Sequence, residues 1–117
     1  MTALDLATVP DRGPMVPVPY RVTARREELD DTVTLDLEPV GEACAPPQPG
    51  QFNMLWAFGI GEAPISVAGF EDGILSHTIR RVGAVSKALC SSSIGDQVGV
   101  RGPFGTGWNL SGAAGRD

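Results

Sequence analysis

The sequence predicts an all-β fold, a small antiparallel barrel of six short strands with one short helix. Glycine (15) and proline (10) are frequent among the 117 residues, which favours turns and short strands over long helices. Strand-length apolar or alternating runs recur between turn signals. Only Ser86–Cys90 reads as helical, with Val85, Ala88 and Leu89 on its apolar side.

Residues 1–18 carry Pro10, Pro14 and Pro17 without periodicity and are expected to form a flexible lead-in. Tyr20–Arg26 alternates moderately. After a charged turn, Thr32–Glu38 alternates cleanly: Val33, Leu35 and Leu37 face one way, Thr32, Thr34, Asp36 and Glu38 the other, so the pair reads as a hairpin. Pro39 to Gly50 is a loop. Gln51–Phe58 is the most apolar run and a central strand, with Trp56 expected in the core. Gly59–Glu62 turns the chain into a strand over Pro64–Ala68, where a proline suits an edge or entry position. Gly69–Gly73 is a second turn, Ile74–Val82 a fifth strand and Gln97–Arg101 the last. Gly102 to Trp108 reads as a structured glycine/proline loop.

A net charge of −5 argues against nucleic-acid binding, which needs a basic surface. Arg21, Arg25 and Arg26 fit a solvated strand face. Cys44 and Cys90 stand in no CxxC or Cys/His spacing, so no zinc or iron–sulfur site is expected. A disulfide between them stays open, although a cytosolic setting keeps both as thiols. Cys90 reads as a small buried hydrophobe. There is no apolar run near membrane-span length and no basic-then-apolar leader, so the expectation is a cytoplasmic chain.

Two segments mimic a dinucleotide fingerprint. Gly59 and Gly61 give GxG, but Pro64 and a strand follow where the diphosphate needs a helix start. The Gly102–Gly107 run fails in the same way. A nicotinamide cofactor would therefore be held by a domain outside this chain.

Four segments in order carry more information: Pro49-Gly50-Gln51-Phe52; Glu62-Ala63-Pro64-Ile65-Ser66; His77-Thr78-Ile79-Arg80-Arg81-Val82-Gly83-Ala84-Val85-Ser86; and Gly95-Asp96 followed by Gly102-Pro103-Phe104-Gly105. Each alone is weak. Together, over Tyr20 to Trp108, they resemble the flavin domain of the ferredoxin–NADP⁺ reductase superfamily. The resemblance implies a six-stranded antiparallel Greek-key barrel with a short capping helix, binding FAD. The family's Arg-x-Tyr-Ser motif supplies an arginine for a flavin phosphate, an aromatic over the ring and a serine near flavin N5. Here those positions are Ala63, Ile65 and Ser66, so only the serine keeps its chemistry. The wording Gly-Glu-Ala-Pro-Ile-Ser with His-Thr-Ile-Arg-x-Val-Gly is similar to the branch of cytoplasmic [NiFe] hydrogenase and sulfhydrogenase gamma subunits. That branch's relatives are the flavin subunits of anaerobic sulfite reductase and dihydroorotate dehydrogenase.

The resemblance implies that Ser66 is catalytic, approaching N5. It places the cofactor-binding residues at Pro64, Ile65, Ser66, His77, Thr78, Ile79, Arg80, Gly83, Ala84, Val85 and Ser86, with no metal. Pro64 and Ile65 would form an apolar wall. Gly83, Ala84 and Val85 lead into the helix, whose N–H groups can hold a diphosphate. Ser86 can cap that helix and donate to a phosphate oxygen. Arg80 is the replacement cation or a solvated strand arginine. His77 touches the ligand or bonds locally. The implied partners are an NAD(P)-binding domain of the same full-length protein and an iron–sulfur or hydrogenase-type catalytic subunit. The expected division is a lead-in over 1–18, a barrel over 19–108, and a truncated linker over 109–117 toward the missing nicotinamide domain. The competing readings are a cofactor-free barrel used for protein interaction and a riboflavin-synthase-like barrel. The latter usually shows an internal duplication, which is absent here.

Overall fold

A computed structural model describes residues 16–105. The elements run β1 (Val18–Leu29), β2 (Thr32–Pro39), β3 (Phe52–Ala57), β4 (Gly61–Glu71), β5 (Ile74–Arg80), α1 (Ala84–Cys90) and β6 (Gln97–Phe104). All strand pairs are antiparallel, in the closed order β1-β2-β5-β4-β3-β6. The contacts β2–β5, β3–β6 and β1–β6 join strands that are not consecutive, which is Greek-key crossing. Closure gives every strand two neighbours. Of the sequence-based division, 1–15 and 106–117 lie outside the described residues, including the whole 109–117 segment and Trp108.

The inward faces follow the alternation. Val33, Leu35 and Leu37 of β2, Leu55 of β3, Leu75 and Ile79 of β5, and Val98 and Val100 of β6 fill the interior with Tyr20 and Val22. Helix α1 adds Leu89 and Cys90 to that core. Cys90 is thus the small buried hydrophobe expected, and burial pushes its thiol pKa up. Cys44 and Cys90 are both free thiols.

Several boundaries differ from the sequence reading. β4 begins at Gly61 and continues through Gly69 to Glu71, so only Asp72-Gly73 turns the chain. Both residues have positive φ (55° and 81°), as a two-residue hairpin turn of the type I′ family requires. β6 continues through Gly102 and Pro103 to Phe104, because pairing of Phe104 with Phe52 extends the ladder. Trp56 is not in the core. Asn53, Leu55 and Ala57 take the inward positions of β3, which turns Trp56 outward against Phe58 (ring centroids 5.3 Å apart) and over Gly99. Arg25 is not simply solvated either. Its guanidinium donates to the Cys90 carbonyl at 2.7 Å, where a cation suits the helix end.

Candidate functional site

The strands part on one side of the barrel. The β4–β5 ladder begins at Val67–His77, so the first half of β4 pairs only with β3. The Val67 N–H donates to the Gln51 carbonyl, toward β3. Alternation turns the nitrogen of Pro64 the other way, onto the open side, where the missing N–H costs no ladder bond. The opening is a cleft of about 430 Å³ between this half of β4, the end of β5 and the start of α1.

Pro64, Ile65, Arg80, Gly83, Ala84, Val85 and Ser86 all line that cleft, so seven of the expected cofactor-binding positions come together there. Glu62, Ala63 and Val82 complete it. Ser66 and Thr78 lie on the exposed faces of β4 and β5 beyond its rim. Ile79 is turned into the core, 1% exposed, and cannot reach a ligand on that face. His77 is also fully buried and does not line the cleft. Both follow from strand alternation, which sends Thr78 and Arg80 outward and their neighbours inward.

Ser86 is committed to the loop. Its Oγ accepts from the N–H groups of Val82 and Gly83, both at 2.9 Å, and donates to the Gly83 carbonyl at 3.1 Å. The one hydroxyl proton is therefore used, and in this conformation Ser86 cannot donate it to a phosphate. It shapes the turn into α1 instead, closing the N-cap from the third helical position. Gly83 is extended, and a side chain added there would meet nothing within 4 Å, so the approach to the helix start is open.

Arg80 is the one cation lining the cleft among the described residues. Its Nε donates to Asp31 at 3.2 Å, and its side chain remains 72% exposed. The Thr32 hydroxyl and Arg80 hold the Asp31 carboxyl below its usual pKa. At the other edge, Arg101 grips Glu62 in a fork, 2.6 Å through Nε and 3.1 Å through a terminal nitrogen, and lowers the Glu62 pKa. Glu62 also borders a second hollow of about 470 Å³ with Pro17, Trp56 and Arg101.

The other two motif segments serve the framework. Gln51 donates to the Gly105 carbonyl at 2.7 Å, and Phe52 stacks on Phe104 with centroids 5.6 Å apart. The Pro-Gly-Gln-Phe and Gly-Pro-Phe-Gly segments thus lock together behind the site.

Asn53 was absent from the sequence-based site. It is 1% exposed, and its Nδ2 lies 3.2 Å from His77 Nε2, while His77 Nδ1 lies 3.1 Å from the Ser66 carbonyl. The signal was a polar residue at an inward position of the most apolar strand. Among the described residues no group of three His, Cys, Asp or Glu side chains is placed to hold a metal ion. No helix among them is long and apolar enough to cross a membrane.

No family model matches the chain. Among its curated relatives are probable dihydroorotate dehydrogenase B (NAD(+)) electron transfer subunits. The one from Methanopyrus kandleri is 36% identical over 97 residues, covering 83% of this chain and 36% of the relative. The one from Methanocella arvoryzae is 38% identical, covering 56% and 24%. The chain thus spans about a quarter to a third of the length of these relatives. Among solved structures, phthalate dioxygenase reductase superposes with a TM-score of 0.70 at 16% identity, covering 80% of this chain and 32% of the reductase. The ferredoxin reductase in carbazole 1,9a-dioxygenase gives 0.67 at 26% identity, covering 77% and 29%. The cytochrome b5 reductase domain of Ulva prolifera nitrate reductase gives 0.65 at 14%, covering 80% and 42%. The barrel therefore has the ferredoxin-reductase-type fold.

Proposed function

We propose that this chain is the FAD-binding domain of an NAD(P)H-linked electron-transfer oxidoreductase of the cytoplasm. One observation carries the reading: seven residues named from two separated stretches of sequence line a single cleft. The names of its relatives, electron transfer subunits of an NAD(+)-linked dehydrogenase, support it.

The residues fit the group. Pro64, Ile65, Val82 and Val85 give an apolar wall, and Arg80 supplies positive charge. Gly83 and Ala84 admit a diphosphate to the helix start, whose first N–H groups have no acceptor within the helix. Ala63 offers no charge, so the phosphates rest on Arg80 and the backbone. Ser66 faces the same exterior as Pro64 and would offer its hydroxyl to a bound ring. Bound flavin supplies the chemistry, taking up a hydride as an electron pair and returning electrons singly. The protein's own work is to orient the ring against the Pro64–Ile65 wall and to place charge near the phosphates. The nicotinamide would be held by another domain of the full-length protein. The electrons would leave for a partner subunit. The relatives' names favour a dihydroorotate dehydrogenase catalytic subunit over the hydrogenase-type partner that the motif wording suggests.

The test is a titration of the 117-residue chain with FAD and FMN, read by visible absorbance and flavin fluorescence. Saturable uptake with FAD bound more tightly than FMN is expected, weakened about three- to tenfold by Arg80→Ala, a partly screened charged contact. Uptake of neither flavin would leave the barrel as a protein-interaction module.

A further inference from the structure

A fully buried histidine in an apolar barrel needs a reason. His77 is 0% exposed, and Asn53 beside it is 1% exposed. Hydrophobic side chains of the same volume would avoid the cost of burying these polar groups. The pair sits where β4 parts from β5. His77 pairs with Val67 in the last rung of that ladder, and the next carbonyl toward the cleft is that of Ser66. At this last rung, where β4 parts from β5, the Ser66 carbonyl is also met by His77 Nδ1 at 3.1 Å. On the other side of the ring, Asn53 Nδ2 lies 3.2 Å from Nε2.

The partners fix the tautomer. A carbonyl only accepts, so Nδ1 must carry the proton. An amide nitrogen only donates, so Nε2 must present its lone pair. Turning the Asn53 amide over would demand a proton on both ring nitrogens, placing a charge in the core. The neutral arrangement satisfies both contacts. Asn53 Oδ1 lies beside Gly102, where a Cβ would collide with it, and it is buried there without a hydrogen-bond partner among the described residues, so the contact to His77 is the one bond that orients the amide. Side chains from β3 and β5 thus brace β4 from inside, directly behind Ser66.

We propose that His77 is a positioning residue that, from inside the barrel, anchors the Ser66 backbone through Nδ1–H and thereby sets where the Ser66 hydroxyl and the Pro64–Ile65 wall meet a flavin ring. The inference rests on the flavin reading above, and it moves His77 from ligand contact to ligand placement. The ring never touches the cofactor. It acts through the one residue of the Ala63-Pro64-Ile65-Ser66 stretch that keeps the family's chemistry.

Two measurements on the 117-residue chain test it. The first is the ¹⁵N shift pattern of His77 at pH 7 without flavin. A neutral ring protonated at Nδ1 is expected, and a ring protonated at Nε2, or at both nitrogens, overturns the proposal. The second compares His77→Asn with His77→Gln in the FAD-loaded chain. Asn carries its amide donor near the position of Nδ1 and should keep the bond to Ser66. Gln reaches instead toward Asn53 and loses it. The readouts are the flavin's visible band positions and its affinity for sulfite at N5, which global stability alone does not move. His77→Gln should shift the bands and change sulfite affinity at least about threefold, with His77→Asn close to the parent. Equal behaviour of the two variants overturns the positioning role. Failure of the parent chain to take up FAD would instead overturn the flavin reading, whatever the ¹⁵N pattern shows.

Discussion

His77 has lost its water and gained two neutral partners, and the two effects do not cancel. Burial pushes its pKa down to about 4 from an ordinary 6.5, opposed only in part by backbone hydrogen bonding at Ser66 and Ile65. The unfolded chain therefore takes up this proton below about pH 6.5, while the folded chain refuses it until about pH 4. Stability from this residue is complete above the unfolded value and is lost as pH falls through the window. Its size is on the order of 3 kcal/mol. In denaturant titrations, the stability difference between the parent and His77→Asn should shrink by about that amount from pH 7 to pH 4. Asp31 and Glu62, whose carboxyls are held low, begin to lose their contributions as pH falls through their ordinary carboxylate values, and they do so in both proteins, so the comparison cancels them. A difference that stays level across the window would show that folded His77 titrates freely. Ser86 gives a second residue-scale expectation. Ser86→Ala removes one acceptor that serves two N–H groups and leaves the Gly83 carbonyl without its hydroxyl donor. The cost should be about 1–2 kcal/mol in thermal or chemical unfolding. FAD affinity should fall with it, because the turn that admits the phosphates loses its tie.

At the level of strands and turns, two glycines with positive φ differ in what a side chain would cost there. Gly102 has φ +147°, and a Cβ there would strike the Asn53 amide oxygen. Gly102→Ala should therefore destabilise by about 2 kcal/mol or more and disturb the Asn53–His77 pair. A lowered melting temperature together with a changed His77 ¹⁵N pattern is the expected result. Gly73→Ala, at φ +81° in an exposed hairpin turn with open space around it, should cost only about 1 kcal/mol. These positions also show what the sequence made legible. The Asp72-Gly73 pair is a hairpin signal, and the alternation of β2 named its inward face residue by residue. The extension of β4 through Gly69 and of β6 through Gly102 was not legible, because partners distant in the chain supply the ladder there. Phe52 draws Phe104 into pairing, and Leu75 and Ser76 hold Phe70 and Gly69. The fate of Trp56 had the same cause. An apolar run does not say which of its alternating faces turns inward, and only Gly99 across the ladder makes room for a tryptophan outside. Ile79 and His77 fell one step out of phase with the site for a related reason. A motif names a stretch of strand, but the pleat exposes every second side chain of it.

For the molecule as a whole, the question is how a chain of net charge −5 would hold the doubly charged diphosphate that the proposed function requires. Long-range attraction is absent, so the affinity must be local. The cleft offers one guanidinium, and that guanidinium is already engaged with Asp31. An ion pair this exposed contributes little, because water screens it. A phosphate at the helix start, offering more oxygens and further N–H donors, can outcompete the carboxylate for Arg80. Breaking the pair still subtracts from the binding free energy. Asp31→Asn should therefore leave the fold intact and tighten FAD by about two- to fivefold, the opposite sign to Arg80→Ala. Salt sharpens the test. Added ions screen both the Arg80–Asp31 pair and the Arg80–phosphate contact, so the parent's affinity should fall only weakly with ionic strength. In Asp31→Asn the phosphate contact stands alone, and the fall should be steeper. FAD titrations of the three proteins at low and high salt measure both quantities. If Asp31→Asn weakened binding instead, the carboxylate would be steering the guanidinium into the cleft and not competing for it. Arg80 and Asp31 would then act as one unit, a phosphate clamp drawn from β5 and the β1–β2 turn.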